Sequence, residues 1–154
     1  MRRHIKQVNL AGKVVDAAWK KSHPKEIYFD SMFERNFYLK LQDAGLDFTF
    51  HPAQRELVAS FKTPALSRGK EEKFILSTVR PIRYTPDFAI YVGTVTIFIE
   101  TKGFFEDGAR LRYKLFQKSL KKNELTFIVY DMREANKLLK IIVENFTYVQ
   151  KALK

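Results

Sequence analysis

Apolar residues recur along this chain with two periods, and the change from one to the other marks its elements. Phe33, Phe37 and Leu41, with Tyr38, fall at helical spacing. Asp30 or Ser31 stands where an N-cap belongs, Glu34 follows Ser31 by three, and Gly45 supplies a stop, which predicts a helix over 31–44. The next run, Asp47 to Phe61, holds Phe48, Phe50, Leu57, Val58 and Phe61 around Pro52 and suits two short strands about a bend. TPALSRGKEEK, residues 63–73, is polar with Pro64 and Gly69 and predicts an exposed loop. From FILSTVRPIRY through TVTIFIETKG the chain is dense in Val, Ile, Thr, Tyr and Phe, a β-rich heart. A helix over 108–121, a short buried strand LTFIVYD, and a C-terminal helix over 132–152 on Leu138, Leu139, Ile142, Val143 and Phe146 complete the order. The succession α, β, β, β, α, β, α predicts an α/β fold, a mixed central sheet flanked by helices.

Within the β-rich heart the pairing can be counted. A two-residue turn at Gly93-Thr94, with glycine at its first position as a type II′ turn requires, pairs Val92 with Val95, and every further pair sums to 187. Phe88, Ile90, Val92, Val95, Ile97 and Ile99 then share one apolar face. Asp87, Ala89, Tyr91, Thr96, Phe98, Glu100 and Lys102 share the other, with Asp87 opposite Glu100. Opposed carboxylates with Cβ atoms about 5 Å apart repel unless something positive lies between them. A divalent cation answers that, and hard oxygen ligands with no His or Cys nearby favour Mg²⁺, with Mn²⁺ as a substitute, over zinc. Lys102 would hold a scissile phosphate or orient the attacking water, giving the parts of metal-assisted phosphodiester hydrolysis. The plain alternative is a surface cluster in which Lys102 neutralises two acids. Against it stand Pro86 before Asp87, the apolar opposite face, and Gly103 after the lysine.

Charge changes the picture next. Lys plus Arg number 28 against 17 Asp plus Glu in 154 residues, a net +11 with pI about 9.8, which points to a polyanionic partner, nucleic acid before an anionic membrane. Residues 1–25 carry Arg2, Arg3, Lys6, Lys13, Lys20, Lys21 and Lys25 against Asp16 alone, a basic N-terminal arm that is either a solvated tail or a DNA contact. Residues 26–154 form one domain on this reading. In the predicted helix 108–121, Arg110, Lys114, Lys118 and Lys121 recur at i, i+4, i+8 and i+11 while Leu111, Leu115 and Leu120 face inward. With Arg112 they form either a phosphate-binding stripe or a solvated face. The chain has no cysteine, which removes disulfides, thiolate zinc sites, iron–sulfur clusters and thiol nucleophiles. His4, His23 and His51 are scattered with no pair at ligand spacing, Tyr84 and Tyr91 are packing or DNA-stacking residues, and no phosphate-binding P-loop is present. The absence of any long apolar run predicts no membrane span and a cytoplasmic protein.

Pro86-Asp87 followed by Glu100-Thr101-Lys102 is the PD-(D/E)XK nuclease pattern. In the form YTPDF followed by IFIETKG it resembles the endonuclease I Holliday junction resolvases of lytic bacteriophages. The wider run RPIRYTPDF through LRYKLF is similar to small phage endonucleases, and the resemblance covers residues 27–130. It implies a restriction-endonuclease-like core and Mg²⁺-dependent cleavage of branched DNA in recombination. It further implies 5′-phosphate and 3′-hydroxyl products, a two-fold homodimer and, for a phage product, the host cytoplasm. It implies that Asp87, Glu100 and an acid on the preceding helix hold metal. That acid matches Glu34, whose capping-box spacing from Ser31 offers a purely structural role instead. The 13 positions between Asp87 and Glu100 exceed the resolvases' shorter hairpin, and the pairing count assigns the extra residues to longer strands. The site expected is therefore Glu34, Asp87, Glu100 and Lys102, with DNA on Arg110, Arg112, Lys114, Lys118 and Lys121. The rivals are a nuclease of the same fold acting on linear or sequence-specific DNA in restriction, end-processing or recombination, and a non-cutting DNA-binding module. An anionic-membrane binder ranks last.

Overall fold

The computed structural model describes residues 7–67, 73–102 and 106–152, with side chains described as far as residue 145. Its centre is a four-stranded mixed sheet. We number the strands in chain order: β3 (Asp47–Phe50), β8 (Phe88–Val92), β9 (Val95–Thr101) and β10 (Glu124–Val129) lie side by side as β10-β9-β8-β3. The β8–β9 hairpin has the counted register, Val92 against Val95 through Phe88 against Ile99, and Gly93 takes φ +59°, the left-handed backbone that glycine adopts without a Cβ clash. β3 pairs antiparallel with β8, whereas β10 runs parallel to β9 after the crossover through α3 (Asp107–Lys118).

Helices cover both faces of the sheet. On one, Phe37 and Leu41 of α2 (Met32–Asp43) and Ala135, Leu139 and Ile142 of α4 (Met132–Ala152) pack on Phe88, Ile90, Ile97, Ile99 and Val129. That face is the apolar set the alternation assigned. On the other, Tyr113 and Phe116 of α3 pack on Ala89, Phe98 and Tyr84, the last from β7 (Ile82–Tyr84). The face carrying Asp87 and Glu100 is thus roofed by α3 and has a second, smaller core.

Four expectations are corrected. The helix after the lysine ends at Lys118, so Lys121 lies beyond it. Its buried residues are Tyr113 and Phe116, and Leu111 is 59% exposed, because the aromatic pair fills more of the space over Phe98. Residues 63–66, expected in a loop, belong to β5 (Phe61–Leu66), which pairs with β6 (Phe74–Val79) in a ribbon that tolerates Pro64. Residues 68–72 of that expected loop lie outside the described residues, as do Gly103 and the Phe146 side chain. β10 is an edge strand with Leu125 and Phe127 partly exposed rather than buried.

In the N-terminal region, β1 (Val8–Asn9) pairs with β2 (Tyr28–Phe29), Val8 and Phe29 are buried, and α1 (Ala17–Ser22) is capped by Asp16. The remaining short strand, β4 (Arg55–Val58), pairs with β7. There the Arg55 guanidinium makes paired bonds of 2.7 and 2.9 Å to Glu124 and lies over the Phe98 and Phe116 rings. The geometry is bidentate, and it clamps β4 to β10 across α3.

Candidate active site

Every residue of the expected site lies at one end of the sheet. Glu34 comes from the first turn of α2, and Asp87 immediately precedes β8. Glu100 lies near the end of β9, and Lys102 immediately follows that strand. The chain places them there because Ser31 starts α2, Pro86 ends the approach to β8, and the hairpin register is pinned by its apolar face.

Glu34 resolves its two readings by performing one and remaining available for the other. Its backbone N–H donates to Ser31 Oγ at 3.0 Å, and its Oε2 accepts the Asp30 N–H at 2.6 Å, which satisfies the helix start. Its other oxygen, Oε1, lies 3.7 Å from His51 Nε2, and the side chain is buried. Asp30 is in turn bonded by Gln7, and Gln7 by Lys20, so the N-terminal region braces the loop that holds Glu34.

Asp87 is fixed through one oxygen. Its Oδ2 accepts both the backbone N–H and the hydroxyl of Thr101 at 2.7 Å each. Burial pushes its carboxyl up to about 7, the Glu100 charge adds to this, and Lys102 and the Thr101 bonds work against it. Glu100 is buried with both oxygens engaged: Tyr84 Oη donates to Oε2 at 2.5 Å and Lys102 Nζ lies 2.7 Å from Oε1. Burial lowers the Lys102 pKa, but Glu100 and Asp87 outweigh it and hold the ammonium above its ordinary range. Burial, then Glu100, raises the Tyr84 phenol far above its ordinary value, so Tyr84 remains a hydrogen donor at physiological pH.

His51, one of the scattered histidines with no pair at ligand spacing, completes the group. Glu34, His51 and Asp87 each offer one ligand atom, and the three atoms lie within 4.8 Å of one another, a group that could hold a metal ion. An ion with bonds of about 2.1 Å spaces its ligands roughly 3–4 Å apart, so the donors need only small rotations to close on one. The donor set fits a divalent cation: two carboxylates, of which Glu34 is buried, and one imidazole. Glu100 stands beside the group, bound to Tyr84 and Lys102. The signal for His51 was the β3–β8 register, in which Phe50 faces Phe88 and the next pair is His51 with Asp87; the His51 N–H donates to the Asp87 carbonyl at 2.8 Å. That register becomes countable only once β3 is known to neighbour β8. The neighbouring Glu34 carboxylate raises the His51 pKa, burial opposes it, and the charge of Asp87 adds to the rise.

A family model described as a protein of unknown function, DUF1064, matches residues 17–136. The chain belongs to that family. No curated protein and no solved structure matches it. The DUF1064 range contains Glu34, His51, Tyr84, Asp87, Glu100, Thr101 and Lys102, so the whole constellation lies within the family's own span.

The DUF1064 range also contains the basic residues of the α3 region. Arg110, Arg112, Lys114 and Lys118 are all exposed on α3, whose first residue comes five after Lys102, and Lys121 is exposed just past its end. Glu106 is the N-cap position of α3 and makes no capping side-chain bond. Among the described residues, no helix is long and apolar enough to cross a membrane.

Proposed function

We propose that the protein is a metal-dependent DNA endonuclease of PD-(D/E)XK type that hydrolyses phosphodiester bonds in branched DNA. The observation that carries this reading is the meeting of Glu34, Asp87, Glu100 and Lys102 at one sheet end, in the order and on the elements the pattern demands. Glu34 and Asp87, with His51, would hold the cation, and Glu100 would complete the acidic wall. When bound, the cation lowers the pKa of water and offsets charge developing on the phosphate.

The chain's own residues do the rest. Thr101 locks Asp87 through two bonds to one oxygen, leaving the other to face a ligand. Tyr84 holds Glu100 from behind, which fixes the oxygen shared with Lys102. Lys102, 32% exposed at its side chain, is anchored by Glu100 with its ammonium charged and within reach of a substrate phosphate or the attacking water. The exposed cations of α3 would run along the DNA backbone, where phosphate neutralisation supplies affinity without reading sequence. Symmetric cutting of a four-way junction needs two such sites, hence a two-fold dimer.

The test is cleavage of a labelled four-way junction beside a linear duplex of the same sequence, with Mg²⁺, Mn²⁺ or EDTA. Metal-dependent nicks on the junction, absent with Asp87→Asn and Lys102→Ala, support the proposal. Equal cutting of both DNAs discards the junction preference and keeps the chemistry. Tight binding without cutting under either metal removes the enzyme reading.

A further inference from the structure

We propose that His51 is a direct ligand in the Glu34–His51–Asp87 group and that its nitrogen makes the site select a first-row transition dication over Mg²⁺. This rests on the reading of that group as a metal centre. With no imidazole recognised nearby, the acids alone select Mg²⁺. Placing one nitrogen among them changes the chemistry.

Mg²⁺ takes oxygen donors and gains little from imidazole, whereas the divalent ions from Mn²⁺ to Zn²⁺ gain more, increasing along the series as far as Cu²⁺. His51 is presented to the acids by backbone and packing rather than left to drift. Among the described residues it is the non-glycine at positive φ, +48°, and its N–H is tied to the Asp87 carbonyl. Its ring stacks on Phe50 with centroids 3.9 Å apart, and Phe50 packs in turn on Phe29 and Phe88 of the core. Pro52 follows, buried and without an N–H, and ends the strand there. Nε2 faces Glu34 Oε1, so the nitrogen is on the side of the acids. The residue is also 45% exposed at its side chain, which leaves an ion open to solvent and substrate.

The test uses the full-length protein with Mn²⁺ as probe, Mg²⁺ as competitor, and the variants His51→Asn, His51→Ala and Asp87→Asn. Asparagine tolerates the left-handed backbone, so His51→Asn removes the nitrogen without moving the chain. Free Mn²⁺ is read by electron paramagnetic resonance, and the bound ion by electron spin-echo modulation from a coordinated ¹⁴N. Wild type should prefer Mn²⁺ to Mg²⁺ by at least ~10-fold and show ¹⁴N modulation. Both His51 variants should lose the modulation and most of that preference, with Mg²⁺ affinity changed less than about 3-fold. Absent modulation in wild type, or an unchanged Mn²⁺ to Mg²⁺ ratio in His51→Asn, overturns the role of His51 while metal binding itself stands. Failure of wild type to bind either ion, or binding undiminished in Asp87→Asn, overturns the metal centre and this inference together.

Discussion

Asp87 sits where burial and two neighbouring acids oppose its charge, and its carboxyl titrates near 7. A carboxyl whose folded pKa lies above its ordinary 3.8 stabilises the fold while protonated, and that contribution is lost as pH rises through the interval to about 7. A dication binds the carboxylate and competes with the proton, and His51, its pKa also raised, competes in the same direction. The rise in melting temperature caused by Mn²⁺ should therefore be larger at pH 8 than at pH 6, as read by differential scanning fluorimetry; an equal rise at both would place the ion elsewhere. Tyr84 acts at one remove. Tyr84→Phe should leave the protein folded and reduce cleavage by about 10–100-fold, the usual cost of losing a group that orients a site carboxylate. Asp87, Glu100 and Lys102 were legible because an E-x-K triplet on a countable hairpin needs no tertiary knowledge, whereas Glu34 on α2 was named only through the family resemblance. His51 and Tyr84 were not legible, because His51 meets Asp87 across the β3–β8 pairing and Tyr84 reaches Glu100 from β7, neighbours that only the fold supplies; Thr101 lies on the counted hairpin, but nothing in its spacing marked its bonds to Asp87.

Among elements, the β8–β9 hairpin was readable to the residue. A two-residue turn fixes register, and a one-residue slip would turn every apolar side chain of one face outward. α3 was readable as a helix but not in its rotation, since leucine and aromatic positions offered competing faces and only the second core decides between them. Phe116→Ala should cost about 3–5 kcal/mol and Leu111→Ala within about 0.5 kcal/mol in urea unfolding. The reverse order would restore the leucine face. The β5–β6 ribbon was hidden because polar composition and Pro64 resemble a loop, while its pairing is satisfied by the ribbon itself. Arg55 holds β4 to β10 through Glu124, whose carboxyl that guanidinium keeps below its ordinary range. Arg55→Ala should cost about 2–4 kcal/mol at neutral pH. The loss should shrink as acid protonates Glu124, since the pair contributes only above that lowered pKa.

For the whole molecule, a net charge of +11 and an exposed basic helix that begins five residues after Lys102 would, on the proposed reading, supply affinity for DNA and leave specificity to its shape. Lys114→Glu with Lys118→Glu should weaken junction binding by ~10-fold or more and lower the slope of log K against log salt by about 2, measured by fluorescence anisotropy across a salt series. The α/β class and a mixed sheet flanked by helices follow from the order of elements, and the hairpin count puts Asp87, Glu100 and Lys102 at one end of it. The crossover that makes β10 parallel to β9, and so places α3 over the site's face, does not appear in any local pattern. On the proposed reading these residues cut DNA rather than only bind it. The most direct measurement is the single-turnover cleavage rate of one labelled junction by wild type and Asp87→Asn at saturating Mn²⁺, with binding of the same junction measured in parallel. For Asp87→Asn the rate should fall by about 10²–10³-fold or more with affinity changed by less than about 3-fold. Wild type that binds but does not cut, or Asp87→Asn that cuts as fast as wild type, would contradict that reading.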